Sequence, residues 1–478
     1  MIQKAVYLLF FITLAQFSFA QSPAEKQNRI VYNRIEYYFN TQQTDSIYAL
    51  GTDAFRAANN RQQIANLLEY YYAYGTIRSA TALSFDKGTV GYNVNIGGKK
   101  MVSLYLNVDS MFRFNSIDIS ESLIPVETKE KVNSVVNKQT ALDEFVDSVA
   151  QSYIKQKNTH SLAIGILHNN KVNTFFYGET SKGEPNTIPN AQTIYEIGSV
   201  TKVFTATLLA NLVEKNIISL EDKIGTFLPD SLQANPSLQN ITFKQLANHT
   251  SGLPRLPSNL LDAAKTNARD PYANYNRSDL FANLKNIKLV DVPGEKYAYS
   301  DLGFGLLGEL IAIITKKTFS QNIQEVITGP LAMSNTVDKI NPKTQKLTKV
   351  YSEDGTETLP WNFMALAGTG ALKSSVADML TFLRYQLMMP ETSLQQAMAL
   401  TKQFTFYLPP STDIGLAWNM TMVNDKVQFW HNAATAGSTS FIGLVPDDKA
   451  AIVVLSNTGI SVDELSMEIL YRIINGRP

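Results

Sequence analysis

The chain of 478 residues contains no cysteine. This absence excludes disulfide bonds, a thiol nucleophile, thiolate metal sites and a lipid anchor attached through cysteine. Histidine is also scarce, with four residues, so a histidine-based catalytic site has few candidates. Charge of either sign is not in excess, because 42 basic residues balance 42 acidic ones. We therefore expect no nucleic acid and no anionic membrane as partner, and a small-molecule or peptide substrate instead.

The chain also lacks a long hydrophobic run at its start. The apolar segment 5–15 follows Lys4 and precedes the small residues Ser18 and Ala20. This order is typical of a secretory signal peptide, predicted over residues 1–20 with cleavage after Ala20. The run is too short to span a bilayer comfortably, so no stable membrane anchor is expected after cleavage. The sequence thus predicts an exported protein, periplasmic or secreted.

The length of the chain favours two domains. Two helical patterns and then four short strand-like runs predict a small α+β domain over residues 25–120. It resembles the cone-shaped, nuclear-transport-factor-like domains. The polar stretch around Pro125 predicts a linker over 121–138, which leaves 139–478 for a larger domain.

The larger domain has strand-like texture at both ends and helices between them. Near its start, a helix over 142–154 precedes a hairpin whose turn is Asn169-Asn170, a pair suited to positive φ values. Near its end, the predicted strands are 414–423, 427–434, 440–445 and 450–456, and a helix over 462–474 closes the chain. The prediction is an α+β fold with an antiparallel sheet flanked by helices and a large helical insertion.

The strongest local feature is Ser199-Val200-Thr201-Lys202, which opens the long, almost uncharged segment 203–213. Three residues of helix advance the chain by slightly less than one turn, so the two side chains project from one face. A lysine amine beside a serine hydroxyl can accept its proton and activate it. The same spacing also occurs at Ser84/Lys87 and Ser152/Lys155, but neither of those pairs opens an apolar helix.

Two further stretches follow Ser199 along the chain and complete a pattern with it. One runs from Pro293 to Asp301 and includes Tyr299, and the other is Trp430-His431-Asn432-Ala433-Ala434. Supporting segments are 246–254 (LANHTSGLP) and 367–378 (AGTGALKSSVAD), in which Ser375 and Asp378 are spaced as a capping box. Together, over about 143–474, these residues resemble the serine β-lactamase and penicillin-binding-protein superfamily, most closely the class C β-lactamase-like group of DD-peptidases, esterases and D-aminopeptidases.

The resemblance implies a role for each matched residue. Ser199 would attack a carbonyl to form an acyl-enzyme, Lys202 would accept its proton, and Tyr299 would pass a proton to the leaving group. The backbone N–H groups of Ser199 and Ala434 would form the oxyanion hole. The residues assigned to the substrate side of the site are Asp301, His431, Asn432 and Ala434. The mechanism requires no cofactor and no metal ion.

Three positions depart from the pattern of the superfamily. Asp301 replaces asparagine, His431 replaces lysine and Ala433 replaces glycine. Asp301 is expected to favour the charged form of Lys202 and to attract a cationic substrate group, or else to cap the helix that follows. His431 is expected to titrate near neutrality and so to make the binding of substrate carboxylates pH-dependent.

Several alternatives remain open from the sequence. Tyr272-Ala273-Asn274 keeps the asparagine that Asp301 replaces, although it lacks the preceding Pro-Gly turn and the following apolar helix. A histidine triad has one well-placed candidate, His431, and no nucleophile elbow. The leading interpretation is an exported serine hydrolase acting on an amide or ester, including peptidoglycan-derived peptides. Its rivals are a penicillin-recognising sensor of the same fold and a cell-wall-binding protein that functions through its first domain.

Overall fold

The computed structural model describes residues 23–475 except 87–88, 98–99, 122–128, 130, 185–186, 261, 263–266, 268, 409–411 and 424. The predicted signal peptide lies outside the described residues. The chain divides into two compact units, of which the first ends at Glu127 and the second begins at Thr128. Among the helices in the described ranges, none is long and apolar enough to cross a bilayer.

The first unit contains helices followed by an antiparallel sheet, as the sequence predicts. The helices are α1 (Pro23–Asn40), α2 (Thr44–Ala49), α3 (Asp53–Ala58) and α4 (Arg61–Tyr72), and the strands are β1 (Ile77–Asp86), β2 (Thr89–Ile96), β3 (Lys100–Val108) and β4 (Phe114–Glu121). The sheet order is β1-β2-β3-β4. Helix α1 packs on the sheet, where Tyr32 stacks on Tyr92 with ring centroids 4.3 Å apart. Helices α2 and α3 were not predicted, because six residues are too few to show a helical period.

The second unit is organised around a nine-stranded antiparallel sheet. Its strands in chain order are β5 (Ser134–Val136), β6 (Ser161–His168), β7 (Lys171–Gly178), β10 (Phe406–Leu408), β11 (Thr412–Ile414), β12 (Asn419–Val423), β13 (Lys426–Ala434), β14 (Thr439–Val445) and β15 (Ala450–Ser456). A separate two-stranded sheet pairs β8 (Ile194–Glu196) with β9 (Lys373–Ser375). The order of the large sheet is β10-β11-β12-β13-β14-β15-β6-β7-β5. Because β15 pairs with β6, segments from both ends of the unit complete one sheet, which confirms the prediction.

Helices cover both faces of this sheet. They are α5 (Ala141–Ile154), α6 (Thr201–Glu214), α7 (Asp230–Gln233), α8 (Pro236–Gln239), α9 (Phe243–Ala247), α10 (Arg277–Lys285), α11 (Asp301–Thr315), α12 (Phe319–Ile323), α13 (Ala367–Gly370), α14 (Val376–Leu387), α15 (Ser393–Leu400) and α16 (Asp463–Asn475). Side chains of β6 alternate between two cores: Ala163 and Leu167 join the core that contains α6, whereas Ile164 and Ile166 join the core beneath α5 and α16. Helix α6, which begins two residues after Ser199, thus lies in the larger core.

Local details confirm some predictions and correct others. Asn169 and Asn170 have φ values of 49° and 65°, as the predicted hairpin turn requires. The predicted linker 121–138 is wrong at its end, because β5 lies within it and pairs with β7; three residues with polar neighbours give too little periodicity to mark a strand. The strand predicted over 414–423 is interrupted near Ala417, which has a φ of 64° and donates its N–H to the carbonyl of Ala247 at 2.8 Å.

Candidate active site

Ser199 lies in a 3₁₀ turn, Gly198–Val200, between β8 and α6. The turn requires glycine at its first position, because Gly198 has a φ of 45° and a Cβ there would lie 3.1 Å from Ala433 Cβ at the end of β13. The turn is also fixed from two sides: Ile197 donates its N–H to the carbonyl of Leu372 at 3.1 Å and accepts from Ser440 Oγ at 3.0 Å. Ser199 itself is half-buried, so its hydroxyl is held in place and remains accessible.

Lys202 is fully buried on the first turn of α6, and each of its three N–H groups has an acceptor. Nζ donates to Ser199 Oγ at 3.0 Å and to the carbonyl oxygen of Thr369 at 2.9 Å, and it lies 2.8 Å from Asp301 Oδ1. A lysine ammonium carries three donors and no acceptor. The surroundings of Nζ therefore match the charged form of Lys202.

The pKa of Lys202 follows from two opposing effects. Burial alone would lower the pKa of the amine. The negative charge of Asp301 and the neighbouring Tyr299 raise this pKa by more than burial lowers it, so the pKa of Lys202 lies above its usual range. The sequence prediction that Asp301 favours the ammonium form is confirmed. In the resting state Lys202 is therefore a hydrogen-bond donor to Ser199, and it must lose a proton before it can act as a base.

Asp301 is the first residue of α11. The residue that caps this helix is Ser300, whose Oγ accepts from Gly303 N at 2.9 Å; the expectation that Asp301 is the cap is wrong. Both carboxylate oxygens of Asp301 face cations, Oδ1 towards Lys202 and Oδ2 towards Arg255 Nε at 3.9 Å. Because these cations neutralise the carboxylate, we do not retain the expectation that Asp301 attracts a cationic substrate group.

Tyr299 lies beside Lys202, with its ring centroid 4.9 Å from Nζ. Its position is set by His249, which stacks on the Tyr299 ring at 4.3 Å between centroids. Nδ1 of His249 accepts from Ser300 N at 3.0 Å, and the His249 carbonyl accepts from Ala298 N at 2.8 Å. These contacts give His249, which lies in the loop 246–254, a structural role.

The same loop carries a glycine that tolerates no side chain. Gly252 has a φ of 71°, and a Cβ there would lie 2.1 Å from the Asp291 carbonyl oxygen. We expect Gly252→Ala to lower the free energy of unfolding by several kcal/mol, because left-handed strain of about 1–3 kcal/mol adds to a backbone overlap. The measurement is urea unfolding. Gly183→Ala is the matched control, because Gly183 has a φ of 72° with no atom within 4 Å; equal losses in the two variants would contradict the proposed overlap.

His431 lies on β13 and is 3% exposed. Its Nδ1 donates to the carbonyl oxygen of Asn432 at 2.7 Å. Burial, together with the positive charge of Lys202, lowers the pKa of His431 to about 3. The prediction that His431 titrates near neutrality is therefore wrong, and a neutral imidazole cannot form an ion pair with a substrate carboxylate at neutral pH.

The two neighbours assigned with His431 lie differently. Side chains alternate along a strand, and Asn432 accordingly points away from His431 and donates to Asp463 Oδ2 at 2.6 Å, at the start of α16. Its assignment to the substrate side is therefore corrected for the side chain. Ala434 is the last residue of β13 and is exposed, so its backbone N–H remains a candidate donor to an oxyanion.

Three groups that the structure brings to the site were not predicted from the sequence. Thr369 holds Lys202 through its carbonyl, which no side-chain pattern can reveal. Glu196, which is buried, accepts from Thr435 Oγ1 at 2.9 Å and from Trp361 N at 2.7 Å, and so joins β8 to the turn after β13. Arg255 follows directly after the quoted segment 246–254, and its guanidinium carbon lies 5.3 Å from the Tyr299 ring centroid.

The competing candidates lie elsewhere. Tyr272 is 6% exposed and stacks on Phe363 at 4.5 Å, so it belongs to the core. Ser152 donates its hydroxyl to the Ser148 carbonyl of its own helix at 3.2 Å, and Lys87 lies outside the described residues. Ser375 caps α14 as predicted, but Asp378 completes no capping box because its carboxylate accepts from Asn335 N at 2.8 Å.

Comparisons with known proteins identify relatives of this chain. D-alanyl-D-alanine-carboxypeptidase/endopeptidase AmpH of Escherichia coli (strain K12) is 26% identical over 319 residues, which are 64% of this chain and 80% of AmpH. Protein flp of Staphylococcus aureus (strain MW2) is 26% identical over 330 residues, 65% of this chain and 62% of flp.

Solved structures share the fold. A β-lactamase/D-alanine carboxypeptidase from Pseudomonas syringae superposes with a TM-score of 0.63 at 22% identity, covering 71% of this chain and all of that one. D-alanine carboxypeptidase AmpC from Burkholderia cenocepacia gives a TM-score of 0.60 at 24% identity, covering 70% of this chain and 99% of that one. The family model for β-lactamase matches residues 146–474. Since that match spans most of the chain, the protein belongs to the β-lactamase family, within the serine β-lactamase and penicillin-binding-protein superfamily.

Proposed function

We propose that the protein is an exported serine hydrolase that cleaves an amide or ester through an acyl-enzyme on Ser199. The observation that carries this proposal is the 3.0 Å contact between Lys202 Nζ and Ser199 Oγ, at the start of a buried helix. A serine hydroxyl needs an adjacent base to become a strong nucleophile. Lys202 supplies the amine, and Asp301 and Tyr299 lie beside it.

In the proposed mechanism, Lys202 and Asp301 act together as the base. The ammonium of Lys202 first passes one proton to Asp301 Oδ1, 2.8 Å away, and the neutral amine then takes the proton of Ser199. The Ser199 oxygen bonds to the substrate carbonyl carbon, and the bond to the leaving group breaks as Tyr299 gives that group a proton. Lys202 returns a proton to Tyr299, and Asp301 returns its own to Lys202. Water then attacks the acyl carbon and gives a proton to Lys202 through the same relay, the bond between that carbon and the Ser199 oxygen breaks, and Lys202 returns the proton to Ser199.

The carbonyl oxygen becomes negatively charged during attack and requires two donors. The N–H groups of Ser199 and Ala434 are the proposed pair. The packing of Ala433 against Gly198 supports this pairing, because it brings the end of β13 to the turn that carries Ser199.

The relatives suggest the substrate class. AmpH is named a D-alanyl-D-alanine-carboxypeptidase/endopeptidase, and the Burkholderia cenocepacia enzyme is named a D-alanine carboxypeptidase. We therefore propose a short peptide containing D-amino acids, such as one derived from peptidoglycan, as substrate. Such substrates are found outside the cytoplasmic membrane, in agreement with the export predicted from residues 1–20.

The test separates a hydrolase from a sensor that is acylated once. The purified protein is incubated with p-nitrophenyl acetate and, separately, with benzylpenicillin, while product release and intact mass are followed. We expect many turnovers of the ester and a mass adduct that decays, because the relay from Asp301 to Lys202 serves deacylation as well as acylation. Ser199→Ala, which keeps every other side chain, is the control and should show neither. A stoichiometric adduct that persists without turnover would favour the sensor and contradict the hydrolase.

A further inference from the structure

Arg255 occupies a position between the buried site and solvent. Its carbonyl oxygen accepts from the N–H groups of Asp301 at 2.9 Å and Leu302 at 3.1 Å, so its backbone is fixed to the start of α11. Its side chain is 71% exposed, compared with 11% for the side chain of Asp301 and 0% for that of Lys202. The guanidinium therefore lies at the outer end of a row of three charges that leads from solvent to Ser199.

The guanidinium has donors available for a ligand. Its nearest acid is Asp301, at 3.9 Å from Nε, which is too far for a hydrogen bond. Its carbon lies 5.3 Å from the Tyr299 ring centroid, so the aromatic face supports the planar group. In the part of the chain that the structure describes, no other acid pairs with Arg255. The protein thus orients the outer N–H groups of the guanidinium and leaves them available to a ligand.

The charge of the site favours an anion at this position. Lys202 and Arg255 contribute two positive charges, and Asp301 contributes one negative charge, so the three groups in contact carry a net charge of +1. His431, which stands where the superfamily has a lysine, is neutral at physiological pH because its pKa is about 3. His249 is neutral as well, since burial lowers its pKa well below the usual value. Arg255 is therefore the exposed cation beside Tyr299 that can meet a substrate.

We propose that Arg255 binds a carboxylate of the substrate and so makes the enzyme selective for anionic amides or esters. This inference rests on the proposed hydrolase function and names the substrate class of the same site. Arginine suits the task, because its planar fork can donate two parallel hydrogen bonds to one carboxylate. The alternative, that Arg255 serves only as a counter-ion of Asp301, accounts poorly for a 3.9 Å separation and a side chain in water.

The experiment uses two pairs of esters that differ by one carboxylate. In the first pair, p-nitrophenyl hydrogen succinate and p-nitrophenyl methyl succinate, the charge is on the acyl half. In the second, 3-carboxyphenyl acetate and its methyl ester, it is on the leaving group. We expect Arg255→Ala to reduce kcat/KM at least tenfold for the anionic member of one pair, and less than threefold for its neutral partner. A hydrogen bond to a charged group typically supports an effect of this size.

Two further variants make the result specific. Arg255→Lys keeps the charge but not the fork and should retain part of the preference. Arg384→Ala removes an exposed arginine from α14 and changes the net charge of the protein by the same amount as Arg255→Ala. It should leave the ratio of kcat/KM between the anionic and the neutral ester unchanged in both pairs, because net charge alone does not select between them. Equal losses on charged and neutral esters in Arg255→Ala would overturn the inference while leaving the hydrolase in place. If the wild-type protein hydrolysed none of the four esters, the proposed function would fail, and the inference with it.

Discussion

Removing either the Ser199 hydroxyl or the Lys202 amine is expected to reduce kcat/KM for p-nitrophenyl acetate by at least about 10⁴-fold, because residues that act as one unit each remove most of the catalysis. Ser199→Ala deletes the atom that bonds to the substrate. Lys202→Met deletes the amine 3.0 Å from it and keeps the length of the side chain. The double variant should be little slower than either single variant.

A half-buried lysine, Lys402, provides the control for this prediction. Lys402 contacts Gln386 and the carbonyl of Met398, and burial lowers its pKa to about 7. Lys402→Met removes a half-buried amine outside the site and should leave kcat/KM of the folded protein within about threefold. A double variant of Ser199 and Lys202 that is far slower than both singles would show that the two residues act independently.

The second large effect is expected from Asp301→Asn. The pKa of Lys202 is raised because Asp301 and Tyr299 outweigh burial. Without the carboxylate, burial dominates and the pKa of the amine falls, so a larger fraction of Lys202 is neutral at pH 7. Each unit of decrease gives about tenfold more free amine. We therefore expect the pH–rate profile for acylation by a neutral ester to shift to lower pH by at least about one unit.

The direction of this shift separates two roles for Asp301. A group that must be neutral to react gives a rate that rises with pH up to its pKa, so a lowered pKa moves the rising limb to lower pH. Asp463→Asn is the matched control, because Asp463 hydrogen-bonds Asn432 on the opposite side of β13; its profile should be unchanged. A slower Asp301→Asn enzyme with an unshifted profile would contradict the effect on the pKa of Lys202 and leave Asp301 only its proposed part in the proton relay.

The separation of residues along the chain explains which contacts of the site the sequence could predict. Ser199 and Lys202 are three residues apart on one helix, so their contact follows from helical geometry alone. The contact between Lys202 and Asp301 joins residues 99 positions apart, and only the order of matched segments indicated it. The large sheet was predicted in outline because its long central strands are largely apolar and buried runs, whereas β5 and the interruption at Ala417 involve too few residues.

Other parts depend on packing that the sequence does not show. The neutral state of His431 follows from its burial, which its neighbours along the chain do not reveal. The Asn432 error could have been avoided, because adjacent residues of a strand cannot both face one site. Ser300 and Asp301 are both favourable helix caps, and only the position of the first turn distinguishes them. Arg255 was missed because a loop residue shows no periodicity, although it follows directly after a matched segment.

The central claim, turnover through an acyl group on Ser199, is tested most directly by rapid-quench mass spectrometry of the wild-type protein during hydrolysis of p-nitrophenyl acetate. We predict an added mass equal to one acetyl group, located by peptide mapping at Ser199, that forms and decays at least as fast as the steady-state turnover. Product formation with no acetylated protein, or with the acetyl group on another residue, would contradict the account.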